Sequence, residues 1–173
     1  MRIELLPSAP PPQLLEQLSN LLIDAVRHGA SLGFLESITQ KDADEYWANT
    51  LLEINADRRV AFGAFDGDGR LLGTGQLALE MRPNGRHRAE VQKILVWHAC
   101  RGRGIGAAIL ATIEEAAIER RRTLLFLDTS IGEAGAVAFY EKRGYVACGG
   151  IPDYAANPDG KLVANAIFYK RLG

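Results

Sequence analysis

The spacing of apolar residues predicts two helices in the first third of the chain. Leucines, alanines and a valine recur every three or four positions over residues 14–26, which is typical of an amphipathic helix that ends near Gly29. Thr39 lies three residues before Asp42 and predicts a capping box at the start of a second helix. A short strand over residues 2–6, closed by a proline, precedes both helices.

After this helical region the apolar residues alternate with polar ones, and a period of two is typical of β-strands. Strands are predicted over residues 60–65, 70–81 and 88–97. The first two are joined by the sequence Asp-Gly-Asp-Gly at 66–69, which favours a hairpin turn. This part of the chain is therefore expected to form an antiparallel meander.

The last part of the chain returns to alternating helices and strands. A buried strand is predicted at 124–128, because that stretch is almost entirely apolar. The element order then predicts a mixed sheet in a single α/β domain that spans residues 1–173. The other predicted elements are helices over 102–121 and 133–143, strands over 144–149 and 163–171, and a loop over 152–160.

Composition and charge narrow the classes of function. The 20 basic and 21 acidic residues leave a net charge of -1, which argues against a dedicated nucleic-acid binder. Two cysteines are too few for a disulfide framework. No apolar run is long enough for a membrane span, and Glu4 and Pro7 interrupt any signal-peptide pattern. We therefore expect a cytoplasmic protein that binds neither nucleic acid nor membrane.

The sequence Arg-Gly-Arg-Gly-Ile-Gly at 101–106 lies between a predicted strand and a predicted helix, where phosphate groups commonly bind. The glycines let the backbone approach a ligand, and the arginines supply charge. A Walker loop is excluded because Ala107 and Ala108 stand where Lys and Ser or Thr are needed. A dinucleotide fingerprint fits loosely, and a tight turn without a ligand is the remaining alternative.

Two motifs resemble those of the GNAT superfamily of N-acetyltransferases. Arg101-x-x-Gly104-x-Gly106 is similar to the family signature Q/R-x-x-G-x-G/A, and residues 94–96 resemble the strand that precedes it. Residues 136–145 resemble the family segment A-x-x-x-Y-x-x-x-G-F/Y. The resemblance implies a mixed, mostly antiparallel twisted sheet of about six or seven strands flanked by about four helices. It also implies a V-shaped splay between strands 4 and 5.

The resemblance implies acetyl-CoA as cosubstrate and no metal. The N–H of Ile94 would donate to the acetyl oxygen, Val96 would pair with the pantetheine amide, and the amides of 101–107 would hold the pyrophosphate. An N–H directed at the thioester oxygen would stabilise the negative charge that develops there. The implied cofactor-binding residues are Ile94, Leu95, Val96, Arg101, Gly102, Arg103, Gly104, Ile105, Gly106 and Ala107.

The same resemblance places a general acid at Tyr140 and a general base at Glu90. Strand alternation from Ile94 puts Glu90 and Gln92 on one face. The alternatives are that Tyr140 only packs on CoA and that Glu90 is a strand-end carboxylate paired with Arg88 or Lys93. One departure is Glu133, which stands where the family often has Asn.

The acceptor is expected to be a small molecule with a primary amine, such as a toxin, an antibiotic or an amino-acid-like metabolite. The C-terminal segment resembles a bacterial branch of the family that includes the tabtoxin resistance protein. In that branch the loop before the last strand would lie beside the cleft, although turn geometry alone also explains its composition. The expected substrate-contacting residues are Trp47, Gln92, Asp153 and Tyr154, with Phe34, Glu36 and Asn157 nearby.

Other functions stay open at this point. One alternative is an acyl-CoA-binding sensor without turnover, and another is an acetyltransferase for protein N-termini or lysines. A nucleotide-binding reductase is a third. A homodimer is open as well. The sensor would bind CoA without consuming acetyl-CoA, and the second alternative would acetylate a protein. The reductase would retain a dinucleotide on purification.

Overall fold

The computed structural model describes residues 1–131 and 135–173. The helices are α1 (Pro12–Arg27), α2 (Gln40–Asn55), α3 (Ile105–Glu119) and α4 (Ala136–Glu141). The strands are β1 (Arg2–Leu5), β2 (Arg59–Phe65), β3 (Leu71–Leu79), β4 (Arg88–Val96), β5 (Leu124–Ser130), β6 (Val146–Gly149), β7 (Ala155–Ala156), β8 (Leu162–Val163) and β9 (Asn165–Arg171).

Seven strands form one sheet in the order β1-β2-β3-β4-β5-β9-β6. Every pair is antiparallel except β4 with β5, which is parallel. The pairing of β4 with β5 ends at Glu90 and Phe126, although both strands continue beyond these residues. The two strands therefore separate, and the predicted mixed sheet with its V-shaped splay is confirmed.

The sheet is covered on both faces. Helix α3 packs on one face with a core that includes Ile109, Ile113 and Phe168, all fully buried. Helices α1 and α2 pack on the other face around Trp47. Within the described ranges, no helix combines the length and the apolar character needed to cross a bilayer.

The start of α2 follows from its first residues. The Thr39 hydroxyl accepts from the N–H of Asp42 at 3.2 Å, and the N–H of Thr39 donates to the Asp42 carboxylate at 2.8 Å. Because both halves of this reciprocal pair form, the predicted capping box is confirmed.

Most boundaries differ from the predictions by one to three residues, and three differences bear on the site. Helix α3 begins at Ile105 and not at Gly102, because Gly102 and Gly104 have φ values of +79° and +78°, outside the helical region. The predicted loop at 152–160 contains β7, which pairs with β8 in a small hairpin. Glu133, where a helix was expected to begin, lies outside the described residues, and α4 begins at Ala136.

A β-bulge shapes the middle of β4. The register of β3 with β4 shifts between Thr74 and Gln76, and Lys93 takes the left-handed backbone conformation with φ +50°. Gln92 consequently lies on the α2 side of the sheet with Leu95, whereas Ile94 packs on the α3 side. The prediction that Ile94 shares a face with Glu90 and Gln92 is wrong, because the bulge interrupts simple alternation.

Replacing Gly75 by alanine is expected to lower the free energy of unfolding by about 1–3 kcal/mol, since overpacking a core has this cost. A Cβ at Gly75 would lie 2.5 Å from Ile109 Cγ2 and 2.9 Å from Ile113 Cδ1. Urea unfolding measures the change. Gly67→Ala is the control, because a Cβ there meets nothing within 4 Å. Equal stability of the two variants would contradict this account of the packing between β3 and α3.

Candidate functional site

A cleft of about 850 Å³ opens where β4 and β5 separate. All the predicted cofactor-binding residues line it except Arg103, which is exposed nearby on the loop. The remaining wall comes from the end of α1 and from α4. The lining residues are Ala25, His28, Gly29, Ala30, Leu32, Ile94, Leu95, Val96, Cys100, Arg101, Gly102, Gly104, Ile105, Gly106, Ala107, Thr129, Gly135, Ala136, Phe139, Tyr140 and Arg143.

The start of α3 presents to this cleft backbone donors that have no partner among the described residues. The first intrahelical bond runs from the N–H of Ala108 to the Gly104 carbonyl, so the N–H groups of residues 105–107 precede the helical pattern. Gly104 provides no capping side chain. A Cβ at Gly102 or Gly104 would meet no protein atom within 4 Å, so the loop leaves space for a ligand. Free amides at the positive end of a helix favour an anion such as phosphate.

Tyr140 lies on the opposite wall of the cleft, where α4 packs against the sheet. Its ring centroid is 5.0 Å from that of Phe139, 5.6 Å from Tyr145 and 5.8 Å from Phe168. These contacts fix the ring at the splay. Burial, and then the Glu114 carboxylate, raise the pKa of Tyr145. Tyr145 therefore keeps its proton near neutral pH and lies outside the cleft lining, which leaves Tyr140 as the phenol at the splay.

Arg143 and His28 are among the cleft residues that the sequence did not indicate. Arg143 stacks on Phe139, with its guanidinium carbon 3.8 Å from the ring centroid, and donates to the Phe139 carbonyl at 2.6 Å. His28 stacks on His98 with ring centroids 4.0 Å apart. Arg143 follows Tyr140 by three residues, in the turn directly after α4, and this spacing was the available signal for it. No local sequence pattern indicates His28, because it is the packing of α1 that places this residue in the cleft with the loop at 101–106.

Polar side chains gather on the α2 side of the sheet beside the splay. The Arg59 guanidinium donates through Nη1 to Gln76 Oε1 at 2.6 Å and to Gln92 Oε1 at 2.5 Å. The Tyr46 hydroxyl donates to the same Gln76 oxygen at 3.1 Å. Burial raises the pKa of Tyr46, so its phenol remains a donor. We call Tyr46, Arg59, Gln76, Glu90, Gln92, Lys93 and Asp128 the polar face.

Lys93 extends from the bulge across this polar face. Its ammonium donates to the Leu32 carbonyl at 2.9 Å and lies 5.8 Å from the centroid of the Tyr46 ring. Burial, together with the charge of Arg59, lowers the pKa of Lys93, while Asp128 and Glu90 act in the opposite direction. A half-buried cation thus lies next in sequence to Ile94, which lines the cleft.

Glu90 is not held by the partners suggested for it. Arg88 pairs with Glu80 at 3.0 Å, and the ammonium of Lys93 is bonded to Leu32. Across residues 1–131 and 135–173, no ion pair within 4.0 Å includes Glu90. The alternative that Arg88 or Lys93 forms a salt bridge with Glu90 is therefore wrong.

The remaining predicted substrate residues separate into two groups. Trp47 is completely buried in the core under α2, so the expectation that it touches a substrate is wrong. Its neighbour Tyr46 reaches the polar face instead. Asp153 and Tyr154 are exposed on the loop after β6. That loop meets the α1–α2 loop through a bond from the N–H of Glu36 to the Pro158 carbonyl at 3.0 Å.

Comparisons with known proteins give a family match. The model of the Acetyltransferase (GNAT) family matches residues 21–145. N-acetyltransferase 8 of Rattus norvegicus is 30% identical over 95 residues, a match that covers 54% of this chain and 43% of that protein. The matched region thus spans less than half the length of this curated relative.

Two solved structures share the fold at low sequence identity. The chain resembles a ribosomal-protein-alanine N-acetyltransferase from Brucella melitensis, with a TM-score of 0.80, 22% identity and coverage of 99% of this chain and 100% of that chain. It also resembles a phosphinothricin acetyltransferase from Sinorhizobium meliloti in complex with acetyl-CoA, with a TM-score of 0.81, 16% identity and coverage of 99% and 88%.

Proposed function

Because the chain belongs to the acetyltransferase (GNAT) family, we propose that it is an acetyl-CoA-dependent N-acetyltransferase acting on the primary amine of a small molecule. One observation carries the proposal: the free amides of α3, the splayed part of β4 and Tyr140 line a single cleft. We extend the proposal to residues 1–173 as one catalytic domain.

The cleft suits a long ligand with a diphosphate at one end. The N–H groups of residues 105–107 and the Arg101 side chain would bind the phosphates. Gly102 and Gly104 leave room at the backbone for them. Residues 94–96, free of β5, would accept the extended arm of the ligand as a strand accepts a neighbour. When bound, acetyl-CoA supplies the acetyl group as an activated thioester.

We assign three roles at the splay. The Ile94 N–H stabilises the negative charge that develops on the acyl oxygen. The amine nitrogen forms a bond to the acyl carbon as the bond from carbon to sulfur breaks, and Tyr140 donates its phenolic proton to the departing sulfur. Glu90 accepts the proton that the amine loses, directly or through water. We place the acceptor amine on the polar face, beside Gln92.

The small-molecule acceptor and the branch of the family that includes the tabtoxin resistance protein are also proposals. The similarity to a phosphinothricin acetyltransferase supports a small acceptor. Because the chain is also similar to a ribosomal-protein-alanine N-acetyltransferase, protein N-termini are included in the test. Asp153 and Tyr154 would contact the acceptor from the loop after β6. A homodimer stays a prediction.

The experiment is thiol release from acetyl-CoA by the wild-type chain with a panel of small amines and N-terminal peptides. Faster release with small amines than with peptides supports the proposal. Release only with peptides would show that the acceptor is a protein N-terminus and not a small amine. Tight acetyl-CoA binding without release in any mixture would favour a sensor, and no binding would refute the donor site.

Glu90→Gln is expected to lower kcat about 10- to 100-fold with little change in KM for acetyl-CoA, because a general base contributes a factor of this order or more. The amide keeps the shape and removes the proton acceptor. Steady-state thiol release measures the change, and Glu53→Gln, an exposed residue paired with Arg58, is the control. An unchanged kcat in Glu90→Gln would transfer the base role to another group.

A further inference from the structure

Two cations of the polar face are not used by the proposed acetyl transfer. Arg59 begins β2, and Lys93 lies at the bulge of β4. In the described parts of the chain, neither has a carboxylate oxygen within 4.0 Å. Their side chains meet at Tyr46 and Gln76, through the bonds of Arg59 and Tyr46 to Gln76 and the contact of Lys93 with the Tyr46 ring.

The donors of this cluster are incompletely satisfied. The Nε of Arg59 and the Nε2 of Gln76 are buried and have no hydrogen-bond partner among the described residues. Buried polar groups without partners are costly, and those of native proteins usually have a ligand, a water or a function. Lys93 also holds a left-handed backbone conformation, which costs a non-glycine residue free energy and is common at functional sites.

The charges of Arg59 and Glu90 lie two strands apart, and the Lys93 ammonium, although it belongs to β4, extends toward the Tyr46 ring. Arg59 and Ala78 are opposite residues, as are Ala78 and Glu90, and Glu90 and Phe126. Arg59 therefore lies about 10 Å from the β4 backbone, at about 4.8 Å per strand. Glu90 and Asp128 lie on the β4–β5 side, where the amine reacts. An acceptor with its amine near these carboxylates directs its other end toward the cations.

From this arrangement, and resting on the proposed acetyl transfer, we propose that Arg59 and Lys93 bind an oxyanion, such as a carboxylate, carried by the acceptor amine. The acceptor is therefore a zwitterion. The planar guanidinium donates to the oxyanion through its free N–H groups, and the Lys93 ammonium adds a second charged donor. Purely cationic acceptors such as polyamines are repelled by the same pair.

Matched acceptors test this proposal in the thiol-release assay. Glycine, β-alanine, γ-aminobutyrate and glutamate are each compared with the corresponding carboxamide, which keeps the amine and removes the anion. At least one acid is expected to exceed its amide in kcat/KM by about 10- to 100-fold, the range for a hydrogen bond to a charged group. The proposal would be overturned if each of the four carboxamides had a kcat/KM equal to that of its acid.

Substitution of the cations is the second arm. Arg59→Met and Lys93→Met are expected to remove the preference for the acid, mainly through KM for the acceptor, while acetyl-CoA affinity stays at the wild-type level and reports intact folding. Arg58→Met and Lys41→Met are matched controls, because both residues are on the surface. A preference that survives both Arg59→Met and Lys93→Met would overturn the proposal.

A binding measurement separates this proposal from the proposed function. The side-chain Nε–H signal of Arg59 is followed by ¹⁵N NMR in the presence of CoA while each acid or amide is added. Acids are expected to shift the signal and amides are not. Absence of thiol release with every amine would refute the acetyl transfer alone. Absence of any shift with all four acids would refute the oxyanion site.

Discussion

Gly104→Val is expected to weaken acetyl-CoA binding by at least about 100-fold. Gly104 caps α3 with φ +78°, a conformation that costs an L-residue about 1–2 kcal/mol and a β-branched residue more. Its side-chain position is open toward the cleft, so a valine would occupy the space beside the free amides of residues 105–107. Isothermal titration with acetyl-CoA measures the loss.

The control for Gly104→Val is Gly69→Val in the β2–β3 turn. Gly69 has a similar φ of +80°, and a Cβ there also meets nothing within 4 Å. It should lose comparable stability in urea unfolding and keep its affinity for acetyl-CoA. Normal acetyl-CoA binding by Gly104→Val would refute the phosphate site. An equal loss of acetyl-CoA affinity in Gly69→Val would show that the effect comes from lower stability.

Tyr140→Phe is expected to lower kcat about 100- to 1,000-fold, within the range for loss of a general acid. The substitution removes the hydroxyl and keeps the ring, whose contacts with Phe139, Tyr145 and Phe168 hold the wall of the cleft. Affinity for acetyl-CoA should therefore change little. Stopped-flow or steady-state thiol release gives kcat, and titration calorimetry gives the affinity.

Tyr145→Phe is the matched control for the acid. Tyr145 adjoins Tyr140, but burial and Glu114 raise its pKa, so it holds its proton in the range where the enzyme would work. Its loss should leave kcat within about twofold of wild type, since surface or structural hydroxyls contribute little to chemistry. A wild-type kcat for Tyr140→Phe would end the acid assignment while leaving acetyl-CoA binding untouched.

Local chemistry explains what could be predicted of the fold. The capping box at Thr39 and Asp42 and the β2–β3 hairpin depend on neighbouring residues, and both are confirmed. The start of α3 was misplaced by three residues because a sequence does not show which glycines adopt positive φ. The β7–β8 hairpin was missed, since two-residue strands carry no measurable period.

That the residues from Ile94 to Ala107 line one cleft was predictable because they are nearly contiguous in sequence. Tyr140 lies on α4, the next helix after α3. The acceptor side was not. Trp47 and Tyr46 look alike as adjacent aromatic residues, and only helix packing buries the first and exposes the second to the polar face. Arg59 and Lys93 carry no motif, and the bulge that directs Lys93 depends on its pairing with β3.

The bond between Glu36 and Pro158 joins the α1–α2 loop to the segment between β7 and β8. Ala30 and Leu32 of the α1–α2 loop also line the cleft, so a change on the Pro158 side would reach the cleft wall through this bond. We therefore expect substitutions in these two segments to be tolerated as a pair and not singly.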